Sequence, residues 1–178
     1  MSKIKAVILL SLSIFLAGCA EKEIPEETTV VTTTVTEPES DHSLLRPFTI
    51  NEAFSEVKAS GKVFCFPIPL TELEEGGIFS DCSYADNKLA FPDGTFAQAY
   101  ANDSSIFHAE FELGSAPSDF SVIGIKLGDD YSVIYQTGIP DITEGDSQNG
   151  MVEYHGAGIQ CIRIEFTNGK INKITMFQ

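Results

Sequence analysis

The sequence predicts an α+β domain, an antiparallel sheet with short helices in which a C-terminal helix precedes a three-stranded meander. Apolar and polar residues alternate over 105–113, which is the pattern of a half-buried strand. Asp129–Thr137 has the length of a short helix, and Gly138 and Pro140 behind it are typical of helix ends. Asn168-Gly169 separates two strand-like runs and predicts a tight hairpin turn.

The start of the chain has the order of an export signal. A short cationic beginning leads into the apolar run Ala6–Phe15, which is too short for a membrane-spanning helix, and Leu16-Ala17-Gly18 then lead directly to Cys19. This stretch closely resembles the bacterial lipoprotein signal, whose lipobox ends in the cysteine that is lipidated before cleavage. The resemblance implies a signal peptide over 1–18, a lipid on Cys19, and anchoring at the extracytoplasmic face of the cell membrane. An ordinary secretory signal with a chance cysteine is the alternative.

A tether is expected between the lipid and the folded part, over residues 19–46. Large apolar residues are sparse there and acidic residues cluster, so burial cannot offset the entropy of ordering the segment. The β-branched run Thr28–Thr36 leaves a strand as the alternative. Fully stretched, the tether would reach roughly 90 Å.

Charge restricts the partners of the chain. Eleven Lys and Arg residues stand against 26 Asp and Glu residues, a net charge of −15. Without Lys3 and Lys5, which lie in the predicted signal, the net charge becomes −17. Such a chain repels nucleic acid, and no basic patch with aromatic residues is found. We therefore expect no nucleic-acid partner, whereas cationic partners are favoured.

The folded part is predicted over 47–178 as one domain of two sub-units, 47–113 and 122–178. This length is sufficient for a hydrophobic core. In the first sub-unit a helix is expected over Asn51–Ala59, with Asn51 as its N-cap. Strands are expected at Lys62–Phe66, Lys88–Phe91, Thr95–Ala101 and Ser105–Leu113.

The strand patterns also predict which side chains are buried. In 105–113, Phe107 and the odd-numbered residues after it are expected to face the core, and the even-numbered residues the solvent. The meander is expected at Met151–His155, Ile159–Phe166 and Lys170–Phe177. An unbroken register from its last turn places Ile164 on one face and Met176 on the other. Either a bulge corrects this or both faces are partly covered, and we favour the second interpretation.

The second sub-unit carries a family resemblance. Gly124-Ile125-x-Leu127-Gly128, Gly138-x-Pro140 and Phe166–Ile171 resemble a recurrent envelope module, found in the repeat of the β-lactamase inhibitor protein and in the small lipoprotein of the outer-membrane assembly machine. The whole chain also resembles clostridial surface lipoproteins. The likeness covers 124–176 and implies a helix followed by an antiparallel sheet that binds proteins. Its motif positions are structural, so no binding residue is carried over.

Catalytic motifs are missing from the sequence. It has no Gly-x-Ser-x-Gly, P-loop, His-Glu-x-x-His or EF-hand pattern, so we expect no catalytic residues and no cofactor. One loop carries oxygen ligands that could converge on calcium: Asp141, Glu144, Asp146 and Asn149. Because Asp, Asn and Gly are also typical of turns, we favour a solvated turn there.

Three cysteines remain besides Cys19, namely Cys65, Cys82 and Cys161. At most one disulfide can join them, and Cys65 and Cys82 are the closest pair in sequence. None has CxxC spacing or a nearby histidine partner, so zinc and thiol-redox sites are not expected. Buried free thiols are the preferred interpretation.

These observations lead to three hypotheses for function. The first is a membrane-anchored, extracytoplasmic binding module for a protein or peptide of the envelope, without enzymatic activity. The second is a structural or assembly accessory of the envelope. The third is a hydrolase whose site is assembled from residues that are scattered in the sequence.

Overall fold

The computed structural model describes residues 47–137 and 143–178. The predicted signal peptide, Cys19 and the tether lie outside the described residues. The helical segments are one α-helix, α1 (Ile50–Ser55), and two 3-10 segments, Leu70–Leu73 and Tyr131–Thr137. The strands are β1 (Val57–Ala59), β2 (Lys62–Phe64), β3 (Ile68–Pro69), β4 (Ser83–Ala85), β5 (Lys88–Ala90), β6 (Phe96–Ala101), β7 (Ser105–Glu112), β8 (Ser121–Val122), β9 (Ile125–Lys126), β10 (Glu144–Gly145), β11 (Gly150–His155), β12 (Cys161–Thr167) and β13 (Lys170–Phe177).

The strands form two antiparallel sheets. The small sheet has the order β2-β1-β8-β9. The large sheet has the order β10-β11-β12-β13-β7-β6-β5-β4, and β3 also pairs with β7. Both predicted sub-units contribute to both sheets, because β7 pairs with β13 and β1 pairs with β8.

The predicted α+β class is wrong, because the described residues form a β-rich fold with very little helix. The C-terminal helix expected over Asp129–Thr137 is a 3-10 segment that begins at Tyr131. Its expected first turn is tied to the last hairpin instead: Tyr131 donates its N–H to the Gly169 carbonyl, and Ile171 donates to the Asp129 carbonyl. In an α-helix that began there, the Asp129 carbonyl would accept an N–H group from within the helix, whereas here it accepts one from the hairpin.

The first helix is also shorter than expected. It ends at Ser55, and its N-cap is Thr49 rather than Asn51. The Thr49 hydroxyl accepts the Glu52 N–H at 3.3 Å, and the Glu52 carboxylate accepts the Thr49 N–H at 2.7 Å. This reciprocal capping box fixes the start of the helix.

The end of the predicted first helix, Val57–Ala59, is strand β1. It forms a hairpin with β2 through Ser60 and Gly61, which both have positive φ angles. The Asp119 carboxylate accepts both of their N–H groups at 2.7 Å. This contact joins the hairpin to the segment just before β8, and it is a non-local contact that helix propensity does not report.

A β-bulge corrects the register of the last hairpin. Phe166 pairs with Ile171 as expected, but Glu165 then pairs with Lys173, so Asn172 is the extra residue. Beyond the bulge, Ile164 pairs with Ile174 and Ile162 with Met176. Ile164 and Met176 therefore share one face of the sheet, and the interpretation that both faces are covered by apolar residues is wrong.

A second bulge corrects the register between β6 and β7. Tyr100 pairs with His108 and Ala101 pairs with Ile106, so Phe107 is the extra residue. Ile106 is consequently fully buried, whereas Phe107 is only partly buried. The expected faces of these two residues are therefore exchanged, and Leu113, expected in the core, is 53% exposed.

One hydrophobic cluster joins the two sheets. It includes the inner face of the large sheet, and Phe111 stacks on Phe120 with ring centroids 3.8 Å apart. The elements packed against this face supply Ala53, Phe54, Val57, Val122, Ile125, Val133 and Ile134. Within the two described ranges, no helix is long and apolar enough to cross a membrane.

We expect Ile164→Ala and Met176→Ala to lower the free energy of unfolding by similar amounts, about 2–5 kcal/mol each. Both side chains lie on the inner face with at most 1% exposure. The measurement is chemical denaturation of the full chain, and Ile159→Ala, at a position that is 70% exposed, is the near-neutral control. A near-neutral Met176→Ala would contradict the bulged register.

Candidate functional site

The large sheet has an outer face, defined as the face opposite the core. Its side chains form two long rows across neighbouring strands. The first row is Tyr100, His108, Phe177, Cys161 and His155. The second row is Lys88, Gln98, Glu110, Thr175, Arg163 and Glu153. Except for Cys161 and Thr175, which are buried, these side chains are accessible to solvent at least in part.

The first row contains three rings in succession. The Tyr100 and His108 ring centroids are 5.1 Å apart, and those of His108 and Phe177 are 6.0 Å apart. His108 Nε2 lies 3.2 Å from Glu110 Oε1, but the contact lacks hydrogen-bond geometry. This contact is an ion pair only when the His108 ring is protonated.

Opposite charges are paired in the middle of the outer face. The Lys173 ammonium group donates to the Glu110 carboxylate. Burial opposes ionisation of Glu110, but this hydrogen bond and the Lys173 charge outweigh it and hold the Glu110 pKa below its ordinary value. The same hydrogen bond raises the pKa of Lys173. The pair is thus ionised at neutral pH.

A second charge pair lies at the β11–β12 side of this face. Arg163 Nε donates to Glu153 Oε1 at 2.8 Å, and Arg163 Nη2 lies in ion-pair contact with the same oxygen, also at 2.8 Å. The Arg163 hydrogen bond holds the Glu153 pKa below its ordinary value. The other carboxylate oxygen, Oε2, lies 3.0 Å from His155 Nε2. Glu153 therefore connects a guanidinium group to an imidazole ring.

A buried thiol completes this corner of the outer face. Cys161 lies directly opposite His155 in the strand pair and is 0% exposed. Burial, followed by the Glu153 charge, raises the pKa of the Cys161 thiol to about 11. One potential ligand atom from each of Glu153, His155 and Cys161 lies within 4.8 Å of the other two.

Sequence reasoning missed this cluster, and its statement that Cys161 has no nearby histidine partner is wrong. The available signal was the spacing Glu153-x-His155, which puts both side chains on one face of a strand. A short return through 156–160 then brings Cys161 opposite His155. The other two described cysteines are free as well, with Cys65 exposed and Cys82 partly buried, so no disulfide joins the cysteines of the described residues.

The acidic loop is organised as a turn. Asp146 Oδ1 accepts the N–H groups of Gln148 and Asn149 at 2.7 and 3.0 Å, which lowers the pKa of Asp146. Asn149 Oδ1 accepts the Asn168 N–H at 3.1 Å. These contacts hold the β10–β11 turn against the last hairpin, in keeping with the preferred turn interpretation.

Two depressions of the surface are small. One, of about 240 Å³, is lined by residues that include Asn51, Phe54, Cys65 and Gln160, and no carboxylate or histidine lines it. The other, of about 270 Å³, lies at the edge strand β10. Both volumes are below the range of about 300–1,000 Å³ that small-molecule sites usually occupy.

Comparison with protein-family models, curated proteins and solved structures finds no match for this chain. Of the candidate residues taken from the sequence, Cys19 and Asp141 lie outside the described residues. Glu144, Asp146 and Asn149 belong to the β10–β11 hairpin and its turn.

We expect Glu153→Gln to lower the free energy of unfolding at pH 7 by up to about 1 kcal/mol, the upper range for a partly exposed ion pair. A carboxyl group whose pKa is lowered by folding stabilises the fold at pH values above its ordinary pKa, 4.5. This contribution is lost as the pH falls through the pKa of the folded state. The difference between wild type and variant should therefore shrink from pH 7 to pH 3.

The measurement is the urea midpoint as a function of pH. Glu112→Gln is the matched control. Because Glu112 is exposed on the same face, its substitution should leave the urea midpoint almost unchanged. A difference between wild type and Glu153→Gln that does not vary with pH would contradict a role for the ionised Glu153–Arg163 pair.

Proposed function

We propose that this chain is a lipoprotein, held at the extracytoplasmic face of the cell membrane by a lipid on Cys19, and that its domain binds a protein or peptide of the envelope through the outer face. The observation that carries the proposal is the aromatic row Tyr100, His108 and Phe177. It lies on an accessible sheet face that the hydrophobic core does not use.

The anchor is supported by the lipobox-like stretch Leu16–Cys19. Each buried methylene of an acyl chain contributes about 0.8 kcal/mol, and two chains together give stable anchoring. The segment 19–46, if fully stretched, would hold the domain within roughly 90 Å of the membrane, which suits a partner in the envelope.

The chemistry of the outer face suits a macromolecular partner. Aromatic and arginine side chains are enriched in protein interfaces, and this face carries both, next to the Glu110–Lys173 and Glu153–Arg163 pairs. Alternating charges give specificity for a partner with the complementary pattern. The excess of acidic residues in the whole chain also speeds the approach of a cationic partner. The family resemblance over 124–176 agrees with binding rather than catalysis.

The anchor predicts the behaviour of a single variant. We expect Cys19→Ser to lose incorporation of labelled fatty acid and to be released from membranes or left unprocessed, because the thiol that receives the lipid is gone. Metabolic labelling followed by membrane fractionation measures both effects. Cys65→Ser, at an exposed cysteine of the folded domain, is the control and should remain labelled and membrane-bound. A processed, fatty-acid-labelled Cys19→Ser protein would contradict the proposal.

The binding face predicts a position-dependent cross-link. We expect a photoreactive phenylalanine analogue at position 100 of the full chain to give a discrete protein adduct in intact cells. The same analogue at position 78, which is 45% exposed and outside the outer face, should not give it. Adding Lys173→Glu should reduce the adduct several-fold, because it breaks the central charge pair. Equal adducts at both positions, or none at position 100, would contradict the proposed face.

A further inference from the structure

We propose that Glu153, His155 and Cys161 form a binding site for a thiophilic divalent cation, with Zn²⁺ as the expected ion. The site would have three protein ligands and one open position. It is a separate property from partner binding, and its test does not depend on the lipid anchor or on an envelope partner.

The strand register places the three donor groups together. Glu153 and His155 are two residues apart on β11 and project from the same face, and Cys161 lies directly opposite His155 on β12. Their potential ligand atoms all lie within 4.8 Å of one another. In a tetrahedral zinc site with bonds of about 2.0–2.3 Å, ligand atoms are about 3.3–3.6 Å apart. Small side-chain rotations are therefore sufficient to close the site.

The donor set selects the class of cation. Sulfur, imidazole nitrogen and carboxylate oxygen are the three donors that zinc accepts. A thiolate disfavours calcium and magnesium, which prefer oxygen ligands. The thiol proton of Cys161 would pass to solvent as the sulfur–metal bond forms, so the step needs no oxidant or reductant. The burial of Cys161 keeps its thiol away from competing reactions until a cation arrives.

The surroundings orient the ligands. Glu153 Oε1 is held by the hydrogen bond from Arg163 Nε and the ion-pair contact with Nη2, whereas Oε2 lies 3.0 Å from His155 Nε2 and is the oxygen on the side of the imidazole. A cation would lie between His155 Nε2 and Glu153 Oε2 and replace their direct contact. Phe177 is the neighbour of Cys161 on the other side and supplies an apolar wall. Since the His155 side chain is 64% exposed, the fourth position opens to solvent.

Cobalt(II) provides a direct test, because a Co²⁺–thiolate bond gives a charge-transfer band and a tetrahedral site gives intense visible bands. The full chain, purified in detergent and reduced, is titrated with Co²⁺ alone and then with Zn²⁺. We expect one equivalent of Co²⁺ to produce both spectral features and Zn²⁺ to remove them. Cys161→Ser should abolish the charge-transfer band, and His155→Ala should weaken binding at least tenfold.

Two controls keep the result interpretable. Cys82→Ser, at a partly buried cysteine outside the cluster, should bind Co²⁺ like the wild type. Circular dichroism verifies that each variant is folded. Because His155 is exposed, its substitution should disturb the fold little. If Cys161→Ser does not fold, His155→Ala decides the question. The proposal is overturned if the wild type shows no charge-transfer band, if the band persists in folded Cys161→Ser, or if His155→Ala binds normally.

Discussion

Two extra residues in the central strands of the large sheet determine which side chains of those strands face the core. Side chains alternate between the faces of a strand, so a single inserted residue reverses the face of all that follow. Asn172 does this in β13 and Phe107 does it in β7. Both bulges turn apolar side chains toward the same side, and the domain consequently has one buried face and one accessible face.

The composition of the accessible face follows from the same two bulges. With Ile106, Ile174 and Met176 turned inward, the side chains left outside on β7 and β13 include His108 and Lys173. They meet in rows across the sheet, where opposite charges pair and rings lie side by side. Cys161 is the exception, because it is a fully buried thiol in a polar row. Its neighbour Phe177 ends the aromatic row, and its other neighbour, His155, belongs with Cys161 to the proposed cation site. The aromatic row and the proposed site are therefore adjacent parts of one surface.

Local patterns in the sequence predicted the longer strands of the large sheet and the Asn168-Gly169 turn. They did not predict the short strands β1, β3, β4, β8, β9 and β10, of which β1, β3 and β8 pair with distant segments. The Asn168-Gly169 turn and the strands beside it follow from residues within the hairpin itself. The 3-10 segment at Tyr131 does not, because its start depends on backbone bonds to the Gly169 turn. The hydrophobic pattern records that a strand changes face, but it does not show whether a bulge or a second covered face is the cause. This is why Ile106 and Met176 were assigned to the wrong side.

The candidate site was hidden for a related reason. Cys161 and His155 are only six residues apart, but nothing in either residue type shows that a return at 156–160 places them in the same cross-strand pair. With the strands paired in this register, the two carboxylate oxygens of Glu153 have different roles. Oε1 is occupied by Arg163 and stabilises the sheet, whereas Oε2 is shared with the imidazole and is the oxygen that a cation would use. A cation at the proposed site would thus bind without breaking the Glu153–Arg163 pair, so the contact that orders this part of the outer face is compatible with metal binding.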